Sequence, residues 1–248
     1  MLFALPFWYQ LGLIIVLGAI WGSFVAALCN RWPRGERVSD GRSHCEQCHT
    51  KLAAKDLIPI ASYLWLRGKC RYCAHPIGAG ALVIELAAAA IGLIAMLTLD
   101  YGQAISAAVL GWLLLPLIIL DYEKLWLPNR LVLPLALVGL LAGPFLTPDL
   151  VWLDRFLGAI IGYLSLEIIR QVFRKLRTID GMGGGDPKFF AAIGIWLGWQ
   201  ALPMTLLAAC ILGFVFVAVN YARTKDSAVQ LPFGSFLGVA AFLISVFG

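Results

Sequence analysis

The amino-acid sequence predicts an all-α polytopic membrane protein, with about eight transmembrane helices and one small loop domain outside the bilayer. Composition gives the first reason: 61% of the 248 residues are hydrophobic and 13% are charged, where ordinary soluble domains carry about 25% charge. The apolar residues fall into long runs, and a helical span needs about 20 such residues. Alternation of the barrel type is missing, which leaves helices as the spanning element. Lys and Arg, finally, gather in alternate loops.

The apolar runs cover residues 11–28, 77–99, 104–120, 131–146, 151–169, 189–202, 204–221 and 231–247, the sixth being short. Turn residues such as Pro33, Gly102, Gly143-Pro144, Pro148-Asp149 and Pro203 mark their boundaries. Residues 1–10 carry no basic stretch and lead directly into the first run, so no cleavable signal peptide is expected. Of the nineteen Lys and Arg, nine lie from Arg31 to Arg71, two at Lys124 and Arg130, five from Arg170 to Lys188, and two at Arg223 and Lys225. Only Arg155 falls on the other side. Short cytoplasmic loops carry the excess of positive charge, so these four loops are expected in the cytoplasm and both termini outside. Eight spans satisfy that pattern and seven break it. Basic residues scattered between apolar runs also argue against a nucleic-acid partner, despite a formal charge of +5. The bilayer is the expected surrounding. The chain divides into a first transmembrane helix (1–29), a cytosolic loop (30–76) and a transmembrane core (77–248).

Within the loop, Cys45, Cys48, Cys70 and Cys73 form two C-x2-C pairs separated by 21 residues. That spacing suits a four-thiolate zinc site. One tetrahedral ion would fold a segment too short to build its own core, and a reducing cytosol disfavours disulfides. His44, His49 and His75 flank the pairs as alternative ligands. Cys29 and Cys210 sit in or beside apolar runs and read as small core residues.

Two carboxylates stand out. Asp121 directly follows the apolar run ending at Leu120, and Asp186 sits in Gly183-Gly184-Gly185-Asp186-Pro187-Lys188 just before the sixth run. The charge pattern puts both at the same face and depth. An ionisable group at the edge of the membrane reads by default as functional. Two carboxyls within hydrogen-bond reach share a proton, so one can act as base and the other as acid, and both roles are needed to hydrolyse a peptide. The glycines permit the close backbone approach an extended substrate requires. A second reading gives Asp121 an interfacial pairing with Arg130 or Lys124 and makes Asp186 a helix cap. Glu85, Glu123 and Glu167 read as structural or interfacial acids. Neither G-x-x-x-x-G-K-[ST] nor G-x-G-x-x-G is present, so a phosphate loop is not expected.

These motifs together resemble the type IV prepilin peptidases, membrane aspartic proteases of the Gly-x-Gly-Asp class. The resemblance rests on Gly22-Ser23-Phe24 with Arg31-Trp32-Pro33, on the paired cysteines with Ile58-Pro59 and Leu66-Arg67-Gly68 between them, on Asp121 seven residues before Pro128, and on Gly181-Met182-Gly183-Gly184-Gly185-Asp186-Pro187-Lys188. It implies Asp121 and Asp186 as the catalytic pair, with Gly183, Gly185 and Lys188 in the active-site loop. It implies a prepilin or pseudopilin substrate whose short basic leader is removed at the cytosolic face of a bacterial inner membrane. Many bacterial members also N-methylate the new amino terminus from S-adenosylmethionine. Here Ala26 stands where an Asn is usual, and Gly78-Ala79-Gly80-Ala81-Leu82 replaces a polar stretch, with Glu85 retained. Those departures remove groups that could hold that cofactor, so a peptidase without methylation is a second expectation. A transport or assembly component without proteolysis is a third, because intramembrane acids also mark ion pathways.

Overall fold

The computed structural model describes residues 6–36, 43–45, 47–177, 183–225 and 230–248. Among them there are helices and isolated bridges but no strands. The chain forms two compact units, Met1–Leu97 and Thr98–Gly248.

In the first unit, α1 (Phe7–Arg31) packs against α3 (Gly80–Thr98). Gly18 and Gly22 make this approach feasible. A Cβ at Gly18 would meet the Ala88 carbonyl oxygen at 2.5 Å, and one at Gly22 would meet the Glu85 Cα at 2.6 Å. Small residues four apart let backbones close on one another in lipid, where no hydrophobic force drives helices together. Between these helices lie the thiol loop and a short helix α2 (Ala61–Trp65).

The second unit comprises α4 (Tyr101–Lys124), α5 (Asn129–Leu141), α6 (Gly143–Leu146), α7 (Trp152–Arg177), α8 (Asp186–Leu197), α9 (Leu202–Thr224) and α10 (Phe233–Phe247). Its core joins Leu110, Leu114 and Leu117 of α4 with Phe189, Phe190, Ile193 and Trp196 of α8 and with Leu237 and Ala240 of α10. Helix α8 is buried on nearly all sides. Its partner α7 comes close because Gly158 and Gly162 face Gly194 and the Phe190 carbonyl. The outer faces of α7 and α9 present Ile160, Leu164, Ile211 and Phe214, as lipid-facing helices do.

Each of the eight apolar runs is helical, but among the described residues five helices are long and apolar enough to cross a membrane: α1, α3, α4, α7 and α9. Helices α5, α8 and α10 have 13, 12 and 15 residues. At about 1.5 Å per residue they fall short of a hydrocarbon core of roughly 30 Å. Local chemistry sets these lengths. Pro128 opens α5 and Gly143-Pro144 follows its end, a left-handed Gly198 (φ 77°) stops α8, and Pro232 opens α10.

Arg155, the one basic residue outside the four basic loops, is fully buried. Its Nη1 donates to the carbonyls of Gly139 (3.3 Å) and Ile195 (3.2 Å), and Nη2 donates to the Thr147 carbonyl at 2.8 Å. One guanidinium thereby ties α5, α8 and the segment before α7. Gly143 lies directly against it, leaving room for the guanidinium plane. Arg155→Ala should lower the unfolding midpoint in detergent by several degrees, consistent with a loss of about 3 kcal/mol or more from stranded carbonyls. Arg155→Lys should recover little of it, because an ammonium lacks the planar fork.

Candidate active site

The sharpest polar feature of the second unit is where α4 ends and α8 and α10 begin. Helix α4 carries Asp121 in its last turn and stops at Leu125, which adopts a left-handed conformation (φ 50°) and returns its N–H to the Asp121 carbonyl at 2.9 Å. Asp186 is the first residue of α8, with Pro187 behind it. Both aspartates are buried, at 5% and 6% relative exposure, although they are far apart in sequence. They lie within electrostatic reach of one another.

Leu127 sits between their supports. A Cβ on Gly185 would lie 2.9 Å from the Leu127 Cβ, and one on Gly234 would lie 2.7 Å from the Leu127 Cδ1 and 3.0 Å from Asp121 Oδ2. Gly183 is equally close to the other acid, its Cβ falling 3.3 Å from Asp186 Oδ2. Glycine is thus favoured by proximity: a side chain at Gly183 or Gly234 would crowd a carboxyl, and one at Gly185 would press on Leu127. Lys188 turns aside, its Nζ donating to Asn129 Oδ1 at 3.4 Å. Gly181 and Met182 lie outside the described residues.

Asp121 has a partner that the sequence reading missed. Oδ2 accepts a hydrogen bond from the Ser235 backbone N–H at 2.7 Å and another from Ser235 Oγ at 3.2 Å. Ser235 lies in the first turn of α10, whose opening N–H groups have no partner within the helix. Asp121 therefore caps α10 from 114 positions away, and the positive end of that helix dipole faces the carboxylate. The interfacial pairing of Asp121 with Lys124 or Arg130 is not formed. Gly234-Ser235 after Pro232 was the available signal, a helix start rich in small residues.

Two buried carboxyls within electrostatic reach oppose each other's ionisation, which favours one charged and one protonated member.

The first unit contains the other chemically distinct group. The sulfur atoms of Cys45, Cys48, Cys70 and Cys73 all lie within 4.8 Å of one another. Tetrahedral Zn–S bonds of about 2.3 Å imply sulfurs about 3.8 Å apart, and Cys45 Sγ and Cys73 Sγ are separated by 3.9 Å. The donor set fits a thiophilic ion. The two halves share one backbone pattern. The Cys45 N–H donates to the Thr50 carbonyl and the His49 N–H to the Cys45 carbonyl. In parallel, the Cys70 N–H donates to the His75 carbonyl and the Ala74 N–H to the Cys70 carbonyl. His49 and Ala74, each just after the second cysteine of its pair, both have φ 55°. None of His44, His49 and His75 joins the cluster among the described residues.

Hydrogen bonds from Thr50 bring the Cys48 thiol down to about 6. At Cys73 the backbone hydrogen bond from His75 acts downward, but burial and the three neighbouring thiols prevail and push it up to about 12. Four thiols so close cannot all ionise alone, and a cation relieves that conflict. Arg71 donates from Nε to Asp56 Oδ1 at 2.6 Å and holds this carboxyl below its ordinary range. Of the remaining cysteines, Cys29 is buried as expected, whereas Cys210 lies on the exposed face of α9.

Fold and sites together define a helical membrane protein with a buried aspartate pair at the ends of its helices and a separate four-thiol module. Comparison with known proteins narrows this class. Residues 16–99 match the bacterial peptidase A24 N-terminal domain, and residues 108–218 match the type IV leader peptidase family. A prepilin leader peptidase/N-methyltransferase from Aeromonas hydrophila is 38% identical over 212 residues, covering 84% of this chain and 72% of the relative. A protein of the same name from Burkholderia pseudomallei (strain K96243) is 36% identical over 278 residues, covering 99% and 88%, respectively. Another from Pseudomonas putida is 32% identical over 269 residues, covering 97% and 91%. No solved structure matches the chain. The chain belongs to the type IV leader peptidase family.

The thiol module makes a direct prediction. Elemental analysis should find one thiophilic ion per chain, and Cys70→Ser should abolish it and open residues 43–76 to limited proteolysis while leaving the second unit intact. The Asp56–Arg71 pair adds a pH dependence. Because the folded Asp56 value is depressed, its contribution is complete above the ordinary Asp value of about 4 and is lost as pH falls through the folded one.

Proposed function

We propose that this chain is an intramembrane aspartic endopeptidase that removes the short basic leader from type IV prepilins or pseudopilins, with Asp121 and Asp186 as its catalytic pair. The observation that carries the proposal is the meeting of two buried aspartates, 65 positions apart, at the starts of α8 and α10. Peptide hydrolysis uses both members. The ionised carboxylate takes a proton from water, whose oxygen forms a bond to the scissile carbonyl carbon. The protonated carboxyl gives its proton to the carbonyl oxygen. Collapse of the tetrahedral species breaks the C–N bond, the departing amine takes up the proton that the base had gained, and one hydroxyl of the gem-diol returns its proton to the other carboxylate, which restores the starting pair. Ser235 orients Asp121 through two donors, and Gly183 and Gly185 keep the loop thin enough for an extended substrate to approach.

The topology that goes with this reading places the four basic loops, the thiol module and both aspartates on the cytosolic side of a bacterial inner membrane. A leader that remains in the cytosol ahead of an apolar helix would then meet the dyad at its cleavage point. Cys45, Cys48, Cys70 and Cys73 would hold zinc, which supplies structural cross-linking to the loop and takes no part in hydrolysis.

N-methylation of the product from S-adenosylmethionine is a second activity for this chain, favoured by the names of its relatives and by its match to the N-terminal domain. The stretch at Gly78 and Gly80 is open, with nothing within 4 Å of an added Cβ at either, and no polar side chain there would hold the cofactor.

One assay tests both activities. Mass spectrometry of a prepilin incubated with purified protein should show the leader lost with the native chain, and its cleavage reduced at least about 10³-fold with Asp121→Asn or Asp186→Asn. Ser235→Ala should cost about tenfold, as for one hydrogen bond to a charged group. Undiminished cleavage by either Asp variant would overturn the dyad. An added methyl mass in the presence of S-adenosylmethionine would establish the second activity.

A further inference from the structure

The thiol loop contains a second feature that neither metal binding nor hydrolysis uses. After the first cysteine pair the chain reads Leu57-Ile58-Pro59-Ile60-Ala61-Ser62-Tyr63-Leu64-Trp65. Ile60 occupies φ 61° and ψ −53°, and the Ala61 N–H turns back to the Pro59 carbonyl, a tight γ-turn. Positive φ in a β-branched residue is a strained outlier. What holds it is a buried carboxylate: Glu85 Oε2 accepts the Ile60 N–H at 2.7 Å.

The position of Glu85 fixes the depth of this turn. Helix α3 begins at Gly80 and has 19 residues. At about 1.5 Å per residue it is about 28 Å long, so it needs nearly its whole length to cross a core of roughly 30 Å. Its first residue therefore stands at the hydrocarbon boundary. Glu85, five positions further on, lies about 7 Å below that level. Two further bonds draw the segment the same way: Tyr63 donates from its hydroxyl to the Ile77 carbonyl at 3.4 Å, and the Ile77 N–H donates to the Gly68 carbonyl at 2.7 Å. The loop is tied to the mouth of its own membrane helix and cannot stand away from it.

The surface presented there is apolar. Leu57, Ile58, Leu64 and Trp65 are 42%, 52%, 63% and 84% exposed. Lys55, Arg67 and Lys69 flank them in the sequence. Trp at the headgroup level and basic residues beside anionic lipid are what a bilayer interface selects. We propose that residues 57–65 form an interfacial wedge, reaching from the headgroup region into the upper acyl chains of the leaflet that α3 enters and held there by the Glu85–Ile60 hydrogen bond. The occupant of this apolar surface is lipid. The inference rests on α3 as a span and is independent of the catalytic assignment.

The test uses the intact protein in nanodiscs whose lipids carry bromine on the upper acyl chain. The chain has nine tryptophans, so the signal is the difference between the emission of the native protein and that of Trp65→Phe, at equal metal content. The expected difference spectrum is blue-shifted and at least twofold quenched by brominated lipid, with little quenching by aqueous iodide. Lys55→Glu with Arg67→Glu should weaken the bromine quenching in anionic discs and leave it unchanged in neutral ones. A second variant, Ile58→Asp with Leu64→Asp, keeps Trp65 and should shift its emission red and make it accessible to iodide. A difference spectrum that is red, quenched by iodide and untouched by bromine would overturn the proposal. So would a signal that turns blue only when a prepilin is added, since the surface would then belong to the substrate.

Discussion

Hydrocarbon offers no hydrogen bonds, and this one constraint organises the second unit. A polar group placed among these helices must find its partner inside the protein. The Arg155 Nη atoms meet that demand by clasping three carbonyls, although its buried Nε has no partner among the described residues, and Trp196 does so by donating from Nε1 to the Leu135 carbonyl at 2.9 Å. Asp121 meets it at the start of α10. These bonds tie α5 to α8 and α4 to α10, and the apolar core of Leu114, Leu117, Phe189 and Leu237 packs the two pairs together.

Close approach does the rest. Where hydrophobic association is absent, helices gain stability by packing tightly, and glycines mark the contacts: Gly18 and Gly22 against α3, Gly158 and Gly162 against α8, Gly234 against Asp121. At the aspartates this packing has chemical consequences. Gly185 and Gly234 both lie against Leu127, which brings the supports of the two carboxyls together. A short, almost wholly buried α8 fits this packing, because it carries Asp186 in its first turn.

Much of this was legible in the sequence. Hydropathy located the eight principal helices but not the short α2 of the loop, the cysteine spacing gave the four-thiol cluster, and glycine next to an ionisable residue singled out Asp186. The misreadings have physical causes. Charge counting treats every Arg as facing water, and so overlooked that Arg155 serves as an internal donor. Three of the runs form helices shorter than their composition suggests because Pro128, Gly198 and Pro232 bound them. Ser235 went unnoticed because its value lies in a backbone N–H, which no side-chain pattern encodes. The partnership of Glu85 with Ile60 was hidden for a similar reason, since it depends on one amide in a strained turn.

The proposed chemistry comes down to two carboxyls working as a unit in opposite protonation states. A pair of this kind needs one member ionised and the other protonated, so activity should fall on both sides of an optimum. The most direct measurement is the pH dependence of prepilin cleavage under single-turnover conditions, in which chemistry limits the rate. A bell-shaped profile with two resolved limbs is the predicted result. A profile that stays flat through the acidic range would contradict the shared-proton dyad, and the site would then need another explanation.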